Sequence, residues 1–259
     1  MDRLDIEKLS RGVNFADMAD PRNVIALGHL TRDEREEFAR LTKSLVLYFG
    51  DEVNACRRAE ETAALAAAPA GVPLESLNGL NIGCGDRLVS PYLTPVDIMR
   101  KPPADAVGGE HHAMTPGAIL ALPDELPFRA NSVDYIIALH MLEHVGDPVE
   151  VILHWLEALK PGGGIGVVVP DWRYSWDARY DGAPYGHKWN PEPDLISQLY
   201  RAHWAEKCAL ETLASYEFKI SFDFVLRKPG EFKPFSIEKL SANKSGRQLF
   251  EIGVFLETT

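Results

Sequence analysis

The stretch NIGCGD, residues 81–86, ends an apolar run in a glycine turn, Gly83-Cys84-Gly85. With no Cβ at Gly83 or Gly85, the backbone there can lie close to a ligand. The dinucleotide fingerprint needs a third glycine three residues on, where this chain has Leu88, so a nicotinamide or flavin dinucleotide is disfavoured. Asp97 closes the next apolar run, a place from which a carboxylate can accept both hydroxyls of a ribose. Cys84 reads as a small side chain that fits the turn, since no neighbouring base is identifiable to lower its thiol pKa. His140 and His144 stand four apart in HMLEH, a spacing that can put two metal ligands on one helix face. The glutamate between them is misplaced for the zinc-protease arrangement, so a loop or capping role for His144 is favoured and no metal is expected. His111 and His112 read as solvated loop residues. Residues 170–190, PDWRYSWDARYDGAPYGHKWN, concentrate aromatic, arginine and histidine side chains after an apolar run, as the wall of a small-molecule pocket would. Trp172, Tyr174, Tyr185 and His187 are the candidate substrate contacts.

Alternating elements must position these groups. From residue 79 the apolar runs GLNIG, PVDIM, AILAL, VDYIIAL and GIGVVVP read as strands, apolar throughout as in a parallel sheet covered on both faces. Between the last two, GDPVEVILHWLEALK carries an apolar stripe of Val149, Ile152, Leu153, Leu156 and Leu159. Asp147 is its N-cap and the Pro161-Gly162-Gly163-Gly164 run is its stop. Further on, PDLISQLYRAHWAEKCALETL reads as one helix, with FKISFDFVL and LFEIGVFLE as strands. Residues 1–76 read as helical: a Thr31/Glu34 capping box opens one helix that Gly50 ends, and a second runs from about Asp51 to Ala68. The division expected is a helical N-terminal extension, 1–76, serving as lid, cover or dimer surface, and a catalytic-type domain, 77–259. A net charge of −11 argues against a nucleic-acid partner, which needs a basic face. Three widely spaced cysteines, no apolar stretch of membrane-spanning length and an acidic start together predict a soluble cytoplasmic protein without membrane contact.

Taken in order, the fragments LN-G-CG, LPF…SVD, LEH and LKPGG over residues 77–171 resemble the class I S-adenosylmethionine-dependent methyltransferases. The resemblance implies a Rossmann-like three-layer α/β sandwich with a mostly parallel seven-stranded sheet, and S-adenosylmethionine as cofactor with S-adenosylhomocysteine as product. It implies that Gly83, Cys84 and Gly85 line the methionine part of the cofactor and that Asp97 holds the ribose. Ile98 would pack on the adenine, Leu122 and Asp124 would edge it, and His140 would border the sulfonium. Asn81 stands where the family usually has an acidic residue facing the cofactor's ammonium group.

The eleven residues between Gly85 and Asp97 are near the minimum for a parallel crossover, so the usual helix there is short or absent. One sheet face then needs cover, which the N-terminal helices can supply. Methyl transfer to a small molecule, more readily at oxygen than at nitrogen or carbon, is the expected activity. His140, His187 and Asp171 are the candidate bases for the acceptor proton. The alternatives are another cofactor-assisted reaction on the same fold, or a non-catalytic protein that binds a partner through its N-terminus; a homodimer is left open.

Overall fold

The structure, a computed structural model, describes residues 50–85, 87–98, 115–174, 178–179, 186–215 and 221–233. The Thr31/Glu34 cap, His111, His112, Tyr185, the Tyr174 side chain and the LFEIGVFLE segment lie outside the described residues. The described helices and strands are α1 (Gly50–Leu65), β1 (Gly79–Ile82), β2 (Leu93–Asp97), β3 (Ile119–Leu120), β4 (Val133–Leu139), α2 (Pro148–Ala158), β5 (Leu159–Pro170), α3 (Pro193–Leu199), β6 (Ala209–Ser215) and β7 (Ser221–Arg227). They include one seven-stranded sheet of order β3-β2-β1-β4-β5-β7-β6. Its first five strands are parallel, and β7 runs antiparallel between β5 and β6.

The strands β1, β2 and β4 are buried at every position, which requires cover on both faces. On one face, α2 is N-capped by Asp147, whose carboxylate accepts from the amides of Val149 and Glu150, and it buries Val151, Ile152, Trp155 and Leu156. On the other face Ala64, in the last turn of α1, and Ala67, just past it, pack with Leu77, Leu93, Tyr135, Ile137, Val168 and Val225. That approach is close because Gly166 faces Ala64: a Cβ on Gly166 would overlap the Ala64 carbonyl oxygen. Arg227, from β7, donates to the carbonyls of Ala66 (3.0 Å) and Ala67 (2.6 Å) just past the helix. Its charge thus satisfies acceptors that a helix C-terminus leaves unpaired. Residues 87–92, between β1 and β2, carry no helix.

Two sequence readings are corrected. Leu159 is not the last residue of the α2 stripe but the first of β5: it pairs with Val133, and a bulge then shifts the ladder to Tyr135–Gly164. Lys160, held 2.6 Å from the buried Asp134, fixes this early start. The segment PDLISQLYRAHWAEKCALETL is not one helix. After α3 it widens into a π turn at Tyr200–Trp204 that buries Trp204 against Phe224, and ALETLAS then becomes edge strand β6. Ala, Leu and Glu favour a helix locally, but pairing along β7 overrides that preference. Among the described residues no helix is long and apolar enough to cross a membrane.

Replacing Gly166 by Ala should lower stability by about 2–3 kcal/mol, because the obstacle is rigid backbone rather than a movable side chain. Thermal denaturation of the variant against wild type checks this, and an unchanged Tm would show that α1 does not pack as described.

Candidate functional site

The carboxyl ends of β1, β2 and β4 open into a cavity of about 540 Å³, a size suited to a small ligand or cofactor. Gly83, Asp97, Ile98, Leu122, Asp124 and His140 line it, together with Met141, His144 and the start of α2. Six of the nine candidate cofactor residues therefore meet in one cleft.

The glycine turn is built by tertiary contacts. The Gly83 amide donates to the Val96 carbonyl at 2.8 Å, folding the end of β1 over β2. Gly83 has φ +63, and a Cβ there would overlap the Met141 side chain. The Gly85 amide donates to the Asp97 carboxylate at 2.8 Å, joining the turn to the acid at the end of β2. Cys84 and Gly85 lie in this turn but do not line the cavity. Burial pushes the Cys84 thiol up to about 11, so it stays protonated and inert. Asn81 is also outside the lining: it is buried, and its side-chain oxygen accepts from the Val89 amide at 3.1 Å. It anchors the short crossover.

The far wall is held from α2. Trp155 donates to the Pro123 carbonyl at 2.7 Å, and the His154 imidazole accepts from the Leu126 amide at 3.0 Å. These bonds fix the loop that carries Leu122 and Asp124. Ile98 and Leu122 are 55% and 49% exposed, two of three large apolar side chains left open among the described residues. Both face the cleft.

His140, at the end of β4, sits at φ +51, uncommon for a residue with a side chain. Its amide donates to the Val168 carbonyl, and its Nε2 lies 2.9 Å from the Glu60 carboxylate. Glu60, on α1, also accepts from Arg87 at 2.7 Å and from the Ser221 hydroxyl at 3.0 Å. Burial alone would raise the pKa of Glu60, but His140 and Arg87 outweigh it and hold the carboxyl at about 2. Burial would likewise lower His140, yet Glu60 raises it above its ordinary value. Sequence reasoning missed Glu60 because an Arg/Glu/Ala-rich helix reads as a solvated face; Glu60 is in fact 3% exposed.

Beyond His140, Glu143 is buried and its carboxyl is pushed up to about 7 by that burial. His144 and His187 stand beside it, at 3.7 and 4.0 Å. The other candidates are placed elsewhere. Asp171 accepts from Arg173 at 2.9 and 2.6 Å, an arrangement that commits its carboxylate to a guanidinium. Trp172 donates to Glu192 and lies under the Arg179 guanidinium, and neither Trp172 nor His187 lines the cavity itself.

A mostly parallel sheet of this strand order, with a cleft at the carboxyl ends of β1 and β4 where the strand order reverses, defines a Rossmann-like cofactor-binding protein. A family model described as a methyltransferase domain matches residues 34–212, and the chain belongs to that family. No curated protein matches the sequence. Among solved structures, a SAM-dependent methyltransferase from Aquifex aeolicus is similar at 10% identity and a TM-score of 0.43, covering 65% of this chain and 89% of that one. A methyltransferase from Mesorhizobium loti is similar at 16% identity and 0.40, covering 64% and 98%. The [4+2]-cyclase SpnF is similar at 14% identity and 0.45, covering 67% and 81%.

Glu60 provides a pH test. Its depressed pKa means that its stabilisation is complete above its ordinary value of 4.5 and is lost as pH falls toward 2. Glu60→Gln should lower stability at pH 5–6 by something of order 3 kcal/mol. That difference from wild type should shrink as pH drops below about 4.5. Denaturant titrations at several pH values would reveal it, and a pH-independent difference would refute the ion-pair account.

Proposed function

We propose that the chain transfers the methyl group of S-adenosylmethionine to a small-molecule acceptor, most readily an oxygen. The observation that carries this reading is the convergence of the Gly83 turn, Asp97, Ile98, Leu122, Asp124 and His140 on one cleft. That cleft fits the cofactor on its own features. A side chain at Gly83 would collide with Met141, so glycine lets the end of β1 lie close against the loop that follows β4 at the wall of the cleft. Asp97 brings a carboxylate to the cleft, and the exposed faces of Ile98 and Leu122 offer apolar walls suited to a flat purine.

The bound cofactor supplies an electrophilic methyl on a sulfonium, and the protein supplies position and shelter from water. In this reading Asp97 takes the ribose hydroxyls and Asp124 the adenine edge, with His140 beside the sulfonium. The Glu60–His140 contact fixes that imidazole, and the Glu60 carboxylate raises its pKa above the ordinary histidine value. A hydroxyl acceptor must lose a proton, and the polar groups clustered at the edge of the cleft that could polarise it are Glu143, His144 and His187. Asp171, already paired with Arg173, is the weakest of the three candidate bases. The net charge of −11 supports a metabolite acceptor over nucleic acid.

Calorimetric titration with S-adenosylhomocysteine tests the reading. Wild type should bind at micromolar level, and Asp97→Ala should weaken binding at least tenfold, about 1.4 kcal/mol. Because Asp97 also holds the Gly85 amide, Leu122→Arg serves as a second variant: its site is half exposed, so the fold should survive while the purine wall is blocked. Equal affinity in all three proteins would sink the assignment.

A further inference from the structure

The short helical turn Leu142–His144 and the segment carrying His187 are locked together by backbone. The Lys188 amide donates to the Glu143 carbonyl at 2.8 Å, and the Trp189 indole donates to the Leu142 carbonyl at 2.9 Å. Those bonds bring His187 to the neighbouring Glu143 and His144, one carboxylate and two imidazoles in one place. One atom from each of Glu143, His144 and His187 lies within 4.8 Å of the others. The His144 and His187 rings meet edge to face, with centroids 5.1 Å apart. The two His Nε2 atoms stand 3.7 and 4.0 Å from Glu143 Oε1, too far for hydrogen bonds. Glu143 is 1% exposed, yet its Oε2 has no hydrogen-bond partner, a costly condition for a buried carboxylate.

We propose that Glu143, His144 and His187 form a binding site for a divalent transition-metal ion of the zinc class. Two imidazoles and one carboxylate suit zinc, cobalt or iron(II) better than calcium or magnesium, which prefer all-oxygen shells. Bonds of about 2.0–2.2 Å in a tetrahedral site place ligands about 3.3–3.5 Å apart, and the two Glu143–histidine distances of 3.7 and 4.0 Å already approach that spacing, so side-chain rotation suffices to close it. Three protein ligands leave at least one position for water or another oxygen donor. His144 also lines the cofactor cleft, so this position lies at its edge. That an acceptor oxygen occupies it rests on the methyl-transfer reading; the metal site itself does not. The sequence alone predicts no metal and a loop or capping role for His144; in the fold His140 is bound to Glu60, and it is His187 that His144 faces.

The test is titration of the full chain, stripped with a chelator, with Zn²⁺ by calorimetry and with Co²⁺ by visible absorption. One ion per chain is expected. His144→Ala, at an exposed position that should not disturb folding, and His187→Ala should each weaken binding at least tenfold, whereas His203→Ala, on the exposed π turn, should not. No binding by wild type, or undiminished binding in both His144→Ala and His187→Ala, overturns the proposal. Binding of S-adenosylhomocysteine is measured beside it. A protein that takes the nucleoside but no metal refutes this site and leaves the methyl-transfer reading standing. One that takes the metal but no nucleoside does the reverse.

Discussion

Glu60 divides its carboxylate among an imidazole, a guanidinium and a hydroxyl that come from three separate segments of the chain. A charge this deeply buried is tolerated only when its partners fill the role of water. The requirement works in the other direction as well. His140 at the end of β4, Arg87 in the β1–β2 crossover and Ser221 at the start of β7 are all held at fixed distances from one helix. The left-handed backbone at His140 persists because its amide and its ring are both tied. The floor of the cleft therefore depends on α1 being seated.

Seating α1 depends in turn on the sheet. Gly166 gives the helix backbone room to reach β5, and Arg227 draws the carbonyls that follow it onto β7. In the β1–β2 crossover, where residues 87–92 form no helix, Asn81 and Arg87 instead bond the loop to the strand and to α1. An asparagine in place of the family's usual acid thus serves the crossover's backbone. On the opposite face α2 both closes the core and suspends the loop bearing Leu122 and Asp124. The two faces contribute unequally: one supplies charge to the cleft, the other its apolar wall.

The family and the existence of strands β1 to β5 were legible because they rest on local signals. A fully apolar run between turn residues, a glycine turn and an acid closing the next run each occupy only a few consecutive positions. Asp147 as helix cap was legible for the same reason, since a side chain reaching the next amides needs nothing distant. The start of β5 and the whole of β6 were not. Leu159 and the ALETLAS segment satisfy helical preferences locally, and they become strand only when Val133 and β7 offer hydrogen bonds.

The sequence by itself determined which residue types stand at the carboxyl edge of the sheet, because chain order and alternation set which end of each strand they occupy. Tertiary structure alone decided their pairings. It gave His140 to Glu60, committed Asp171 to Arg173, withdrew Asn81 into the crossover, and set Glu143 among His144 and His187. The physical reason is that a charged side chain's chemistry is set by the groups that replace its water. For His140 and Glu143 those groups, Glu60 and His187, arrive from segments tens of residues away, where no local pattern in the chain records them.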